Sequence, residues 1–241
     1  MTLDYATYTN AGGREYNEDA VGVYAASWCT RFVVADGLGG HRNGAEAART
    51  VVKAVAEGDR MPLPTLMESA QEAVLTLQKE TNGRMKSTAV VLEVEGKEAR
   101  WANVGDSRLY YLRQGLLCRV TQDHSVAYKK YKAGEITRAQ IAADEDQSQL
   151  LRALGSDHGQ ADLDSAEIEP GDGFLLCSDG LWEYVTDQEI CVDFLKADSA
   201  QTWSKLLLLR LMERLEPDSD NLSLITVIVS EDEKQEGGSL C

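Results

Sequence analysis

Hydrophobic positions in this chain gather in short continuous runs, set off by polar stretches in which aspartate and glycine recur. Runs at 5–10, 21–25 and 29–35 predict strands. Two segments with helical spacing follow, 44–57 and 65–80, separated by Pro62 and Pro64. Asn82-Gly83 supplies the stop of the second helix. Strands resume at 87–93, 99–104, 109–113 and 116–120, the last two joined by Gln114-Gly115 as a tight hairpin.

From 123 to 150 the apolar runs give way to polar and charged residues, read as an excursion from the core. Short helices are predicted over 125–133 and 137–143, the latter opened by the capping box Thr137-x-x-Gln140. Strands return at 164–169 and 174–178, then helices at 187–196 and 200–215, and a final strand at 222–229. Thr186-x-x-Glu189 caps the first of those helices. Strands come in blocks instead of alternating with helices, which favours an α+β fold with antiparallel sheets over a doubly wound parallel one. Nothing cuts the chain like a linker, so one domain is expected over 1–230, with the polar, glycine-bearing 231–241 as a disordered tail.

Charge narrows the partners. The 241 residues carry 40 acidic against 24 basic side chains, a formal net charge of -16, which argues against nucleic acid or an anionic membrane. The five cysteines have no CxxC spacing and suit a reducing cytosol, with three expected as small buried side chains. No signal peptide or membrane span is legible, since Asp4 interrupts the start and Arg210 closes the run Leu206–Leu209. A cytoplasmic location is therefore expected, and the chain reads as a monomer.

The candidate chemistry lies at the ends of three apolar runs. Phe32-Val33-Val34-Ala35-Asp36-Gly37, Trp101-Ala102-Asn103-Val104-Gly105-Asp106 and Phe174-Leu175-Leu176-Cys177-Ser178-Asp179-Gly180 each deliver an aspartate beside glycine. An unpaired carboxylate at a buried strand end is strongly disfavoured, so three of them call for a shared cation. Hard oxygen ligands with almost no histidine point to Mg²⁺ or Mn²⁺ instead of zinc. Bound divalent cations would also reconcile the acidic chain with an anionic substrate.

Seven motifs fall in order: Arg14-Glu15-Tyr16-Asn17-Glu18-Asp19-Ala20, Val34 to His41, Ala102 to Arg108, Thr121 to Ser125, Arg152 to Gly155, Cys177 to Trp182, and Asp220 to Ser223. Their order and spacing resemble the PPM family, the metal-dependent protein serine/threonine phosphatases also called type 2C, across nearly the whole chain. The resemblance implies a four-layer α/β/β/α sandwich, two antiparallel sheets flanked by helices, with the metals at one edge. It implies that Asp36 bridges two cations, that Gly37 offers its carbonyl oxygen to the second, and that Asp179 and Asp220 ligate the first. Glu18 would face the second ion, with Asp19 behind it. Asp106 would share a third, more labile ion with Asp179. Arg14 stands where the family clamps the phosphate, a task its planar fork suits. The implied reaction is in-line attack on phosphoserine or phosphothreonine of a protein by a hydroxide bridging two Mn²⁺ or Mg²⁺ ions.

The chain departs from part of the family. Leu38 stands where eukaryotic members have a histidine proposed as the acid, which leaves His41 or a water on the third ion to protonate the leaving oxygen. Lys86 replaces a common glycine and Glu183 an aspartate, neither removing a core ligand. The excursion 123–150 matches the family's flap and is expected to help select the phosphoprotein. His124 is read as structural and His158 as a solvated loop residue. The compact chain resembles bacterial stand-alone members, which oppose a serine/threonine kinase; a cognate kinase and its phosphorylated substrates are the implied partners. Two other readings share the site: a pseudophosphatase that binds phosphoprotein without turnover, and a hydrolase of small phosphate esters. Retained metal binding without turnover would favour the first of these, and higher efficiency on small esters the second.

Overall fold

The computed structural model describes residues 1–39 and 42–231. His41 and all of the expected tail except Glu231 lie outside the described residues.

The strands are β1 Thr2–Asn10, β2 Ala20–Ala25, β3 Thr30–Ala35, β4 Gly37–Leu38, β5 Lys86–Ser87, β6 Ala89–Glu95, β7 Glu98–Val104, β8 Arg108–Arg113, β9 Leu116–Val120, β10 Asp162–Glu167, β11 Gly173–Cys177 and β12 Leu222–Ser230. The helices are α1 Arg42–Glu57, α2 Leu63–Thr81, α3 Val126–Ala133, α4 Asp179–Trp182, α5 Asp187–Lys196 and α6 Ala200–Met212. One antiparallel sheet runs β1-β12-β11-β8-β9 and the other β10-β7-β6-β3-β2, with β4 and β5 as a separate pair.

Side-chain alternation along β3 explains the layering. Phe32 and Val34 point between the sheets, where they join Leu92, Trp101, Tyr111, Phe174, Leu176, Ile225 and Val227. Val33 and Ala35 point the other way, against Val51 and Val55 of α1 and Leu66 and Val74 of α2. The second sheet is covered on its outer face by Trp203 and Leu207 of α6, Ile190 and Phe194 of α5, and Tyr128 of α3. Strands covered on both faces need apolar residues at every position, which is why they appear as continuous runs. The result is the expected α+β sandwich of four layers.

Turn and cap chemistry also follows the sequence. Gln114 and Gly115 both adopt positive φ, 52° and 76°, the primed geometry that matches the twist of a hairpin. Asn82 closes α2 in the left-handed region at φ 51°.

Four elements differ from expectation. The strand over 87–93 is broken at Thr88, whose backbone and side chain turn to brace Asp36. The segment over 137–143 is a 3₁₀ helix, Arg138–Ala143, still with its capping box. Asp179, expected at a strand terminus, opens the short helix α4. The last helix stops at Met212, where Arg214 N–H bonds Leu211 C=O at 2.8 Å and tightens the final turn.

Candidate metal centre

The antiparallel register carries the motifs to one end of the sandwich. Ala20 opposes Ala35, Ala89 opposes Val104, Arg108 opposes Cys177, and Leu222 opposes Asn10. Glu18 and Asp19 precede β2, Asp36 follows β3, Asp106 lies between β7 and β8, Asp179 follows β11, Asp220 precedes β12, and Arg14 follows β1. Residues more than 200 positions apart in sequence meet there: Arg14 Nη2 lies 3.1 Å from Asp220 Oδ2. Both groups remain solvent-accessible, at 55% and 43% exposure, so this pair is weak and the guanidinium fork stays open to another anion.

Neutral groups brace Asp36, Asp19 and the loop bearing Asp106. Asp36 N–H donates to Thr88 Oγ1 at 3.0 Å, while Thr88 N–H (2.8 Å) and Ser87 Oγ (3.1 Å) donate to Asp36 C=O. Thr88 and Ser107 hydroxyls share a bond of 2.7 Å, which ties this turn to the loop bearing Asp106. Ser178 Oγ donates to Asp19 Oδ2 at 2.7 Å and accepts from Ser223 N–H at 3.0 Å. Asn221 fastens the N-terminal loop: its amide donates to Ala11 and Tyr16 carbonyls, each at 2.9 Å, and accepts from Glu18 N–H at 2.7 Å. Trp182 Nε1 donates to Asp106 C=O at 3.0 Å, and the Arg108 guanidinium sits 3.6 Å from the centre of the Trp182 ring. His124, read as structural, accepts from Gly105 N–H at 3.1 Å through Nδ1 and pairs with Asp162 Oδ2 at 3.1 Å through Nε2.

Two glycines allow the close approach that assembles this end. A Cβ on Gly37 would lie 2.0 Å from Gly44 O and 2.7 Å from Glu18 O, so the second expected ligand strand can reach α1 only as glycine. A Cβ on Gly180 would lie 2.1 Å from Asn221 O, the contact that sets Asp179 beside Asp220.

Electrostatics records the crowding. Desolvation, then Asp179, Asp19 and Asp106, push the Asp36 carboxyl well above the ordinary carboxylate range. Asp179 is driven up in the same direction by desolvation, then by Asp106 and Glu183. Burial and Asp123 raise Asp106 to about 7. Burial raises Asp19 to about 6 against the lowering pull of the Ser178 hydrogen bond. Glu183 rises to about 7, by desolvation and Asp220. It accepts from Gln147 of the 123–150 segment, so that segment reaches the cleft.

The buried acids outside this cleft behave differently. Among the described residues six acidic side chains are buried: Asp19, Glu93, Asp106, Asp123, Asp172 and Asp193. Glu93 pairs with Arg31, Asp123 with Arg108, Asp172 with Arg113, and Asp193 with Arg210. Only Asp19 and Asp106, both in the cleft, have no arginine or lysine in ion-pair contact. Asp19 Oδ1 is buried without any hydrogen-bond partner. Among the described residues, no three acidic, histidine or cysteine side chains close into a ready-made cage. What they form is a half-buried rim of hard oxygen donors whose mutual repulsion a divalent cation would relieve, and this donor set fits Mg²⁺ or Mn²⁺.

The expected ligands Glu18, Asp36, Gly37, Asp106, Asp179 and Asp220 thus lie at one end of the molecule, with Arg14 and Asp19 beside them. Sequence reasoning missed the braces Thr88, Ser107, Ser178 and Asn221, whose short polar side chains look like ordinary turn residues. It noted Glu183 but not its bond to Gln147.

Comparison with known proteins identifies the family and the fold. The family model "Protein phosphatase 2C" matches residues 9–217. The serine/threonine phosphatase stp of Listeria monocytogenes is 33% identical over 195 residues, covering 73% of this chain and 77% of that one. The crystal structure of the Mycobacterium tuberculosis serine/threonine phosphatase PstP/Ppp superposes with a TM-score of 0.84 at 28% identity, covering 96% of this chain and 100% of that one. A structure of the PstP catalytic domain in complex with two manganese ions gives a TM-score of 0.81 at 28% identity, over 95% of this chain and 99% of that one.

Proposed function

We propose that this chain, which belongs to the protein phosphatase 2C family, hydrolyses phosphoserine and phosphothreonine on proteins with Mn²⁺ or Mg²⁺. The observation that carries this reading is the contrast among buried acids: among the described residues, arginine pairs with Glu93, Asp123, Asp172 and Asp193 outside the cleft, and with neither Asp19 nor Asp106 inside it. A fold that matches every other buried carboxylate leaves these for a cation from solution.

In this reading Asp36, Asp179, Asp220 and Glu18, with the Gly37 carbonyl, would hold two ions, and Asp106 with Asp179 would hold a third. Ions held there would activate water at neutral pH and offset the charge of the phosphate. Arg14, anchored at one nitrogen by Asp220, turns its remaining donors to the phosphate oxygens and orients the ester for in-line displacement. Asp19 steadies the rim through Ser178. His41 is one source of the proton that the leaving serine or threonine oxygen takes up. Residues 1–230 act as one catalytic unit, with 123–150 as the flap beside the cleft. The Gln147–Glu183 bond supports that placement. A serine/threonine kinase that makes the phosphoproteins is the implied opposing partner.

The test is phosphate release from a phosphothreonine peptide with Mn²⁺, with chelator, and with Asp179→Asn. Release that needs both metal and Asp179 supports the reading. A folded, metal-binding protein that releases nothing from several peptides would replace it with a phosphoprotein-binding module.

A further inference from the structure

A second pocket, with His124 in its wall, has the opposite electrostatic character. It encloses about 580 Å³ between α3, the Leu151-Arg152 segment and the approach to β10. Lys129, Lys132 and Arg152 line it, with His124, His158 and Asp162. Such a concentration of cations is unexpected in a chain of net charge -16.

The two acidic groups on its wall are already engaged. Asp123 is held by both ends of the Arg108 fork, at 2.8 and 2.6 Å. Asp162 pairs with Arg152 at 2.7 Å and with His124 at 3.1 Å. The lysines are not engaged. Lys129 and Lys132 lie three residues apart, hence on one face of α3, are exposed, and have no ion pair among the described residues. Their neighbour Lys130 shows what a structural lysine does here: it binds Asp144 at 2.8 Å and Asp146 at 2.7 Å, inside the 123–150 segment. Two uncommitted ammonium groups therefore face an open pocket whose carboxylates are neutralised by other partners.

Position gives the pocket a use. His124 Nδ1 accepts from Gly105 N–H, one residue before Asp106, and His124 N–H donates to Gly105 C=O at 2.9 Å. His124 thus ties the wall of the pocket to the loop that carries Asp106.

We propose that this pocket binds a second anionic group, a phosphorylated residue or a carboxylate cluster, on the same protein whose phosphate enters the cleft. The proposal rests on the phosphatase reading and adds to it a preference for multiply phosphorylated or acidic segments. A substrate approaching a chain of net negative charge gains from one local attractive contact, and a phosphate gains most because each ammonium can form a charge-assisted hydrogen bond with it. Long lysines at an open rim suit a segment that varies in sequence, since they act as movable point charges instead of a fixed fork.

The test compares two phosphothreonine peptides of equal length, one carrying a non-hydrolysable phosphonate mimic at a series of distances from the scissile residue. Initial rates are measured with the Mn²⁺-loaded wild type and with the Lys129→Ala/Lys132→Ala variant. At the best spacing the wild type should show a KM about tenfold lower for the doubly anionic peptide, with kcat unchanged. The variant should lose that preference while keeping the wild-type kcat and KM for the singly phosphorylated peptide. Lys129→Glu/Lys132→Glu should reverse it, and added salt should shrink it in the wild type. No preference at any spacing, or one that survives in both variants, overturns the proposal. Anisotropy of the labelled doubly anionic peptide separates this from failure of the phosphatase reading. Absent release with lysine-dependent binding removes the enzyme and keeps the pocket; absent release with lysine-independent binding removes both.

Discussion

Glu93 and the cleft aspartates are all carboxylates carried by strands of the sandwich or by the turns at their ends, and the molecule treats them in opposite ways. Glu93, 3% exposed, receives Arg31 Nε at 2.6 Å and Arg100 Nε at 3.1 Å. Arg31 itself is fully buried and spends its other donors on the Gly58 and Met61 carbonyls. At the opposite end of β3, burial together with Asp179 and Asp106 raises the Asp36 pKa, and burial together with Asp106 raises that of Asp179, while hydroxyl and backbone groups brace the Asp36 turn. A buried charge balanced by the chain is part of the scaffold. A group of charges left unbalanced is a place where the fold has given up stability, a cost that bound cations would offset.

The comparison is most severely tested by Asp179→Asn. Phosphate release should fall by roughly a thousandfold or more, since the activated nucleophile depends on the ligand set. The same substitution should leave the chelator-treated protein at least as stable as wild type, because it removes repulsion from Asp36 and Asp106. Thermal melting without metal checks the sign; marked destabilisation would show that Asp179 is a structural group like Glu93. Arg14→Ala should lower kcat/KM by about 10²-fold, as expected for one oriented donor to a charged transition state. Its melting temperature should hold, since the side chain is 55% exposed.

Glu93→Gln should do the reverse. Leaving Arg31 buried without its counter-ion should cost about 3–5 kcal/mol in denaturant unfolding, with kcat of the folded fraction unchanged. The pH dependence of the metal-free protein sharpens the contrast. Asp19 and Asp106 rise from 3.8 to about 6 and about 7, and Glu183 from 4.5 to about 7. Between the two values the folded state holds protons that the unfolded state has lost, so stability falls as pH rises from about 4 to 7. Mn²⁺ displaces those protons, and the melting-temperature gain it confers should grow over the same window. The smallest effect is expected from Thr88→Val, about 1 kcal/mol for the lost hydroxyl bonds to Asp36 N–H and Ser107.

Much of the scaffold was legible because local physics set it. The continuous apolar runs of β3 and β6 follow from burial on both faces, the Gln114-Gly115 hairpin from positive φ, and the ends of α2 and α5 from their caps. The acidic residues of the cleft were legible for a different reason: a carboxylate beside glycine after an apolar run is an unusual sight, and the motif order added the rest. The braces were not. Nothing around Asn221 announces that its amide spans Ala11, Tyr16 and Glu18, more than 200 positions away. The strand break at Thr88 arises from a demand made by Asp36, which lies in another part of the chain.

The sequence by itself determined most of the strand and helix inventory, the acidic balance and the hard-oxygen chemistry of the cleft, because each depends on neighbours within a few positions along the chain. Tertiary structure decided which charges are neutralised. Arg31 reaches Glu93 and Arg108 reaches Asp123, while among the described residues Asp19 and Asp106 have no cation, and Lys129 and Lys132 no anion, in ion-pair contact. Pairing over a few ångströms is set by strand register and loop packing, and spacing along a chain does not encode it.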